Sequence, residues 1–211
     1  MTVAVIDYGA GNLKSAAKAL VHAATETGDE VIITADAEVI RKADRIVLPG
    51  VGAFAECKRG LEALEGGVAA MREAVLEKGR PMLGICVGMQ LLATVGVEYG
   101  EHAGLDWIKG RVVKLTPDDP GLKIPQMGWN DLHFKQAHPI FSGLDSGVHA
   151  YFVHSYHFIA DHADDVLADV DYGGKVTAAI GRDNIVGLQF HPEKSQAVGL
   201  QILGNFLRWR P

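Results

Sequence analysis

An apolar run, Met82-Leu83-Gly84-Ile85, stops at Cys86, which is held between Gly84 and Gly88, and an amphipathic run through Met89, Gln90, Leu91 and Leu92 follows. This is the layout of a nucleophile elbow. A strand turns so tightly into a helix that the residue at the bend is strained, and side chains on the flanking residues would collide with neighbouring elements. The thiol is then raised into the open at the carboxyl end of a strand. At the first turn of the helix it meets unpaired backbone N–H groups, which favour the thiolate and offer donors to a developing oxyanion. The pentapeptide alone favours an inert core cysteine, because unpaired cysteines are usually buried.

A second stretch bears on that choice. Gln189-Phe190-His191-Pro192-Glu193 follows the apolar run from Asn184 to Leu188, which reads as a buried strand, so His191 emerges at a strand end. A cysteine nucleophile needs a base that takes its proton and returns it to a leaving group, and histidine does both near neutral pH. Glu193 can bond the far ring nitrogen and fix the tautomer. His-x-Glu by itself is common in solvated turns. Together with Gly-x-Cys-x-Gly, and with an apolar strand before each, it points to Cys86 as nucleophile and His191 as base.

The 211 residues are enough to bury a full core and predict one domain over residues 1–211. A net charge of −6 without a run of Lys or Arg leaves nothing to attract a phosphate backbone, so nucleic acid is not an expected partner. Met1-Thr2-Val3-Ala4-Val5-Ile6-Asp7 has no basic leader, and no later stretch approaches a membrane span, which predicts a cytoplasmic protein. With Cys57 and Cys86 as the only cysteines there is no disulfide framework, as suits a reducing compartment in which a thiol can work. Cys57 follows Phe54 in a helical pattern and reads as core.

Val3 to Ile6 is a continuous apolar run that suits a strand buried on both faces, and Gly9-Ala10-Gly11-Asn12 then turns into a helix whose Leu13, Ala16, Ala17 and Leu20 share one face. A dinucleotide fingerprint is excluded there, because Lys14 occupies the place of the third glycine. Val31 to Ile33 and Arg45 to Leu48 are further strands around a helical stretch from Ala37 to Lys42. The second of these strands ends in Pro49-Gly50-Val51-Gly52, whose glycines allow exposed N–H groups beside Cys86. Val68, Met71 and Val75 mark a helix that stops at Gly79. Strands alternating with helices predict an α/β fold with a doubly wound, mostly parallel sheet and helices on both faces.

Beyond Ala93 the pattern changes to short strands: Gly110 to Leu115, Gln126 to Phe134, Val148 to Ile159, Val166 to Val170 and Lys175 to Ile180. Their spacing predicts antiparallel additions that complete or flank the sheet. Ser195 is placed to cap a last helix that packs Leu200, Leu203 and Leu207 inward. His154 and His157, three apart, fall on opposite faces of one strand and have no cysteine or carboxylate cluster beside them, so no metal is expected.

At this level of detail the chain resembles the class I glutamine amidotransferases, and within them the glutaminase subunits of imidazole glycerol phosphate synthases. The motifs are Asp7-Tyr8-Gly9-Ala10-Gly11-Asn12-Leu13, Leu48 to Phe54, Gly84 to Leu92, Met127-Gly128-Trp129-Asn130, Tyr151 to Tyr156 and Gln189 to Ser195. The cysteine and His-Pro-Glu elements belong to the whole class, and the others to this branch. Val87 stands where leucine is commoner, and Gln126 where histidine is frequent. The resemblance implies a triad of Cys86, His191 and Glu193. It also implies oxyanion and glutamine contacts from Gly50, Val51, Gly52, Val87, Gln90, Glu98, Ser155 and Tyr156, and a partner face that includes Asn12, Trp129, Asn130 and Lys194.

The implied activity is hydrolysis of glutamine to glutamate and ammonia without a cofactor. The ammonia would pass to a HisF-like (β/α)8-barrel cyclase subunit in a heterodimer of histidine biosynthesis. The glycines of the 50–52 loop permit a peptide flip, so the lone subunit is expected to idle until the cyclase docks and Lys194 pairs with an acidic residue across the interface. Two other functions fit the same residues: a glutaminase serving another synthase, such as those making pyridoxal phosphate or anthranilate, and an inactive docking subunit. The partner that activates the chain separates the first, and trapping of Cys86 by a glutamine-like electrophile the second.

Overall fold

The structure, a computed structural model, describes residues 1–211. Its first half alternates as the pattern predicts: β1 (Thr2–Ile6), α1 (Leu13–Ala23), β2 (Glu30–Thr34), α2 (Ala37–Lys42), β3 (Arg45–Gly50), α3 (Phe54–Ala63), α4 (Gly67–Arg72), β4 (Met82–Cys86) and α5 (Val87–Gln90). Ten short strands follow: β5 (Val95–Gly96), β6 (His102–Ala103), β7 (Gly110–Lys114), β8 (Gln126–Asp131), β9 (His133–Phe134), β10 (His149–His154), β11 (Tyr156–Ala160), β12 (Val166–Asp171), β13 (Lys175–Arg182) and β14 (Ile185–Leu188). The chain ends in α6 (Gln196–Arg208).

The main sheet has the order β2-β1-β3-β4-β14-β13-β12-β9. Its first five strands are parallel and its last three antiparallel, so the additions expected in the second half extend one edge. Every residue of β3 and β4 is buried, as in a sheet covered on both faces, which is why these strands are apolar without alternation. The remaining strands form the pair β10-β8 and the flanking sheet β11-β7-β5-β6.

Two expected strands are each divided. The stretch from Gln126 to Phe134 breaks at Leu132: β8 pairs with β10, while β9 joins β12 at the edge of the main sheet. Leu132 is fully buried at the crossing point and donates its N–H to Val148 O. The stretch from Val148 to Ile159 breaks at Ser155, so that β10 pairs with β8 and β11 with β7. His154 and His157 therefore lie on two strands, not on opposite faces of one. The helix after Cys86 is also shorter than its sequence pattern suggests. The carbonyls of Leu91, Leu92 and Ala93 accept from Leu105, Trp107 and Asp106 at 2.7 to 3.0 Å, which satisfies them outside a helix. Finally, Ser195 does not cap α6 with its side chain; its hydroxyl is used on the turn that follows β14.

Arg45, 1% exposed, joins the two ends of the chain. It has no carboxylate in contact; instead it donates to Phe206 O (3.2 Å) and Trp209 O (2.9 Å), the carboxyl end of α6. Burial lowers its pKa, and the negative end of the helix dipole offsets part of that cost. Arg45→Met, which keeps the stem and removes a charged donor from each of two carbonyls that otherwise keep only Trp209 N–H and Arg210, is expected to cost about 2–4 kcal/mol. Thermal unfolding measures it, with a midpoint lowered by roughly 5–15 °C. An unchanged midpoint would show that the guanidinium does not hold α6.

Candidate active site

Register sets the site. In the parallel ladders Gly50 pairs with Cys86 and Leu188 with Ile85, so the carboxyl ends of β3, β4 and β14 converge where open α/β sheets hold their ligands. Cys86 has φ 55° and ψ −114°, a backbone that an L-residue keeps only when its surroundings impose it. Here they do. A Cβ on Gly88 would lie 1.7 Å from Leu48 O, and one on Gly84 2.8 Å from Gly88 O. The turn therefore lies against β3 as the elbow requires, and Val87 begins α5 with its N–H free of an intrahelical partner.

His191 is fixed through its main chain. Its N–H donates to Tyr151 O (2.9 Å), while the Ser195 hydroxyl donates to His191 O (2.7 Å) and accepts from Tyr151 N–H (3.0 Å). The ring is buried. Nδ1 lies 2.8 Å from Glu193 Oε1, and both side chains are 3% exposed or less. Burial pushes the imidazole pKa down, but the neighbouring Cys86 sulfur and the Glu193 carboxylate outweigh it and raise the pKa to about 9. Nε2 has no closed hydrogen bond in this geometry, although the sulfur is near enough to shift its titration. Contacts of this kind tighten when substrate is bound.

A cleft of about 330 Å³ opens in front of Cys86 and His191. Val51, Gly52, Val87, Glu98, Ser155 and Tyr156 line it. The carbonyls of the glycine loop are held from the core side: Tyr8 Oη donates to Pro49 O (2.7 Å) and Cys57 Sγ to Val51 O (3.4 Å). Glu98 Oε2 accepts from Phe54 N–H (2.8 Å), which anchors the carboxylate at the start of α3 and leaves it able to take an ammonium group.

Some of the expected residues stand elsewhere. Gly50 is buried under the elbow, where a Cβ would meet Gly88 N at 2.7 Å, and Glu193 sits behind His191. Gln90 reaches the cleft, but its amide hydrogens go to Tyr156 O and Gln189 Oε1, both at 3.0 Å, so it presents only its carbonyl oxygen. Asn12 and Lys194 line the cleft too. Trp129 and Asn130 lie outside it on β8. Trp129, 48% exposed, meets the Tyr151 ring edge-on at 5.8 Å, and Lys194 Nζ lies 5.6 Å from the centre of the same ring. Asn130 Nδ2 donates to Asp171 O (2.8 Å).

Two buried residues of the site escaped the sequence reading. Gln189 looks there like filler between strand and base, yet its Nε2 lies 3.7 Å from Cys86 Sγ. His154 looks like one half of a metal pair. Burial lowers its pKa to about 4, so the ring is neutral: Nδ1–H donates to Tyr156 O (2.8 Å), and Nε2, then an acceptor, lies 2.9 Å from the end of the Gln126 amide, which pairs with it when its NH2 is turned to the ring. The only signal for either was a polar residue inside an apolar run. The assembled groups comprise a strained thiol, a carboxylate-bound imidazole, N–H groups at a helix start, and an acceptor amide and a carboxylate in the cleft lining. Such a set can perform acyl transfer on the carboxamide of a small amino acid.

Residues 4–209 match the glutamine amidotransferase class-I family. The chain is 58% identical over 216 residues to the imidazole glycerol phosphate synthase subunit HisH of Brucella suis, with both chains covered completely. It is equally similar, 58% over 214 and 212 residues, to the HisH subunits of Rhodospirillum rubrum and Ruegeria pomeroyi, again over the full length of each. Among solved structures it resembles a glutamine amidotransferase at a TM-score of 0.72 and 21% identity, covering 98% of this chain and 97% of that one. It also resembles a putative GMP synthase protein from Thermoplasma acidophilum at a TM-score of 0.70 and 22% identity, covering 99% and 92%. These two likenesses concern the fold, whereas the family match and the curated relatives run end to end through the elbow and the His-Pro-Glu turn. The chain belongs to the class-I glutamine amidotransferases.

Proposed function

We propose that this chain, acting as one unit over residues 1–211, is the glutaminase subunit of an imidazole glycerol phosphate synthase. It hydrolyses glutamine to glutamate and ammonia and passes the ammonia to a (β/α)8-barrel cyclase of the HisF kind. The observation that carries the chemistry is Cys86 in its strained elbow beside an imidazole whose Nε2 has no other partner. Full-length identity of 58% to subunits of that synthase favours it over a pyridoxal phosphate or anthranilate synthase. The presence of all three triad residues in one geometry favours an active glutaminase over a docking subunit.

In this mechanism the proton that His191 holds at neutral pH is the one taken from Cys86, and the thiolate attacks the side-chain carbonyl carbon of glutamine. The N–H groups of Val87, Val51 and Gly52 take the oxyanion. Glu98 holds the α-ammonium, and the Gln90 carbonyl, Ser155 and Tyr156 bound the rest of the substrate. The tetrahedral adduct collapses as His191, held by Glu193, protonates the departing nitrogen, which leaves as ammonia and a thioester. His191 then deprotonates water, which cleaves the thioester to glutamate and restores the thiol.

Cys86→Ser is expected to lower glutamine-dependent synthesis by the assembled enzyme at least about 10³-fold while synthesis from added ammonium salt continues. Loss of both rates would assign Cys86 a structural role. Glu193→Gln should be about 10²-fold less damaging than His191→Ala, because it removes orientation and not the proton carrier. Equal losses would contradict the roles.

The pH profile follows from the same pair. His191 must be protonated to release ammonia, so kcat/KM, which reports the free enzyme, is expected to fall as pH rises through about 9. The carboxylate contributes to that elevation, so in Glu193→Gln the alkaline limb moves to lower pH. A limb that stays in place would separate it from His191. For the partner, the exposed Trp129, with Tyr151 and Lys194 beside it, is an amphipathic patch next to the cleft. Trp129→Ala is expected to weaken the heterodimer by about 2 kcal/mol or more in titration calorimetry, and unchanged affinity would place the partner on another face.

A further inference from the structure

Gln189 is the one polar member of the Gln-Phe-His-Pro-Glu stretch that this mechanism leaves unused, and it is 0% exposed. It stands one residue beyond the pairing of β14 with β4, and its own N–H donates to Ala178 O (2.9 Å), so the backbone fixes where its side chain begins. A buried amide is costly unless both ends are paired. One end meets Gln90 Nε2 at 3.0 Å, and the other lies 3.7 Å from Cys86 Sγ, an N–H···S distance.

The direction of this amide is fixed by its neighbours. The end group of Gln90 that lies 3.0 Å from the Tyr156 carbonyl oxygen must be the NH2, because that oxygen only accepts. The second hydrogen of the same NH2 goes to Gln189, which must offer its oxygen. The end of Gln189 that remains, the donor, faces the sulfur.

We infer that Gln189 is a further catalytic residue of the glutaminase site: its amide N–H donates to the Cys86 sulfur, stabilises the thiolate, and is aimed there by Gln90. The inference rests on the glutaminase reading for its purpose and on the hydrogen-bond chain for its content. A donor strengthens its bond when the acceptor becomes charged, so this contact favours the thiolate over the thiol. It also links substrate to nucleophile. The Gln90 carbonyl lines the cleft that receives glutamine, and the NH2 of the same side chain orients the donor on the sulfur. Support of Gln90 alone would raise KM and leave the sulfur untouched, and that difference is what the experiment reads.

The test alkylates the full chain with iodoacetamide in the absence of glutamine, across a pH series, and follows the Cys86 peptide by mass spectrometry. Gln189→Met keeps the bulk and removes the donor. Alkylation of Cys86 at neutral pH is expected to slow about tenfold, the effect of losing one hydrogen bond to a charged group, and its rise with pH to move to the alkaline side. Gln90→Leu, which leaves Gln189 in place but without its aim, should shift the profile in the same direction by less. Should Gln189→Met fail to fold, Gln189→Glu decides: with an acceptor charge against the sulfur, Cys86 must react more slowly still. In the complex, kcat for glutamine falls with the alkylation rate. A Cys86 profile that coincides with wild type in a folded Gln189 variant, with or without a raised KM, overturns the inference. Failure of the glutaminase reading would appear elsewhere, as a Cys86→Ser enzyme that still consumes glutamine.

Discussion

The spacing between β3 and the turn that leaves β4 is the constraint on which the site depends. Gly88 lies so close to Leu48 that a Cβ would overlap the carbonyl oxygen, and a Cβ on Gly50, further along the same strand, would lie 2.7 Å from the Gly88 nitrogen. With no side chain at these positions the turn packs against β3 and Cys86 is held at positive φ. The position of His191 is set independently, by β14 and by its bonds to Tyr151 on β10. A wider gap between β3 and the elbow would relax the cysteine without moving the base, and the two would no longer face each other.

Electrostatics then separates the two histidines beside the cleft. Both are buried, which by itself disfavours the cation. His154 faces a carbonyl and an amide, and burial prevails, at about 4. His191 faces a sulfur and a carboxylate, and these prevail, at about 9. At neutral pH only one ring carries a proton that can be given away, and the other is a neutral strut between β10 and β8. The polar groups that support the site, Gln90, Gln126, Gln189 and Ser195, are buried and bonded, as a rigid network requires.

The parts of the fold that could be read from sequence are those fixed by local physics. β1, β3, β4 and β14 are strands buried on both faces, and such strands are continuous apolar runs. The elbow was legible because glycine is the only residue that tolerates those contacts, and His191 because a strand ends just before it. What escaped was decided by distant partners. Leu132 and Ser155 lie inside runs of uniform strand character, and only the sheets competing for the two halves break them. α5 stops after one turn because a loop beyond Gly104 takes the carbonyls it would have used. Ser195 has the composition of a cap, but a strand-end carbonyl and an N–H on β10 lie closer to its hydroxyl. Gln90 was expected to contact glutamine, and its NH2 is already held by Tyr156 O and Gln189.

The place of β14 in the main sheet also orders events in time. Cys86 and Gln189 are 103 positions apart, yet their strands are neighbours. β1 to β4 are contiguous in sequence and can pair as the chain emerges from the ribosome, while β14 must wait until nine further strands have been made. Closing so long a loop carries an entropic cost that only the finished sheet repays, which makes this pairing a late step in folding. An incomplete or partly folded chain thus carries the thiol without the imidazole. The hydrolytic groups come together only when the last strand joins, so the order of synthesis gates the site before any partner does.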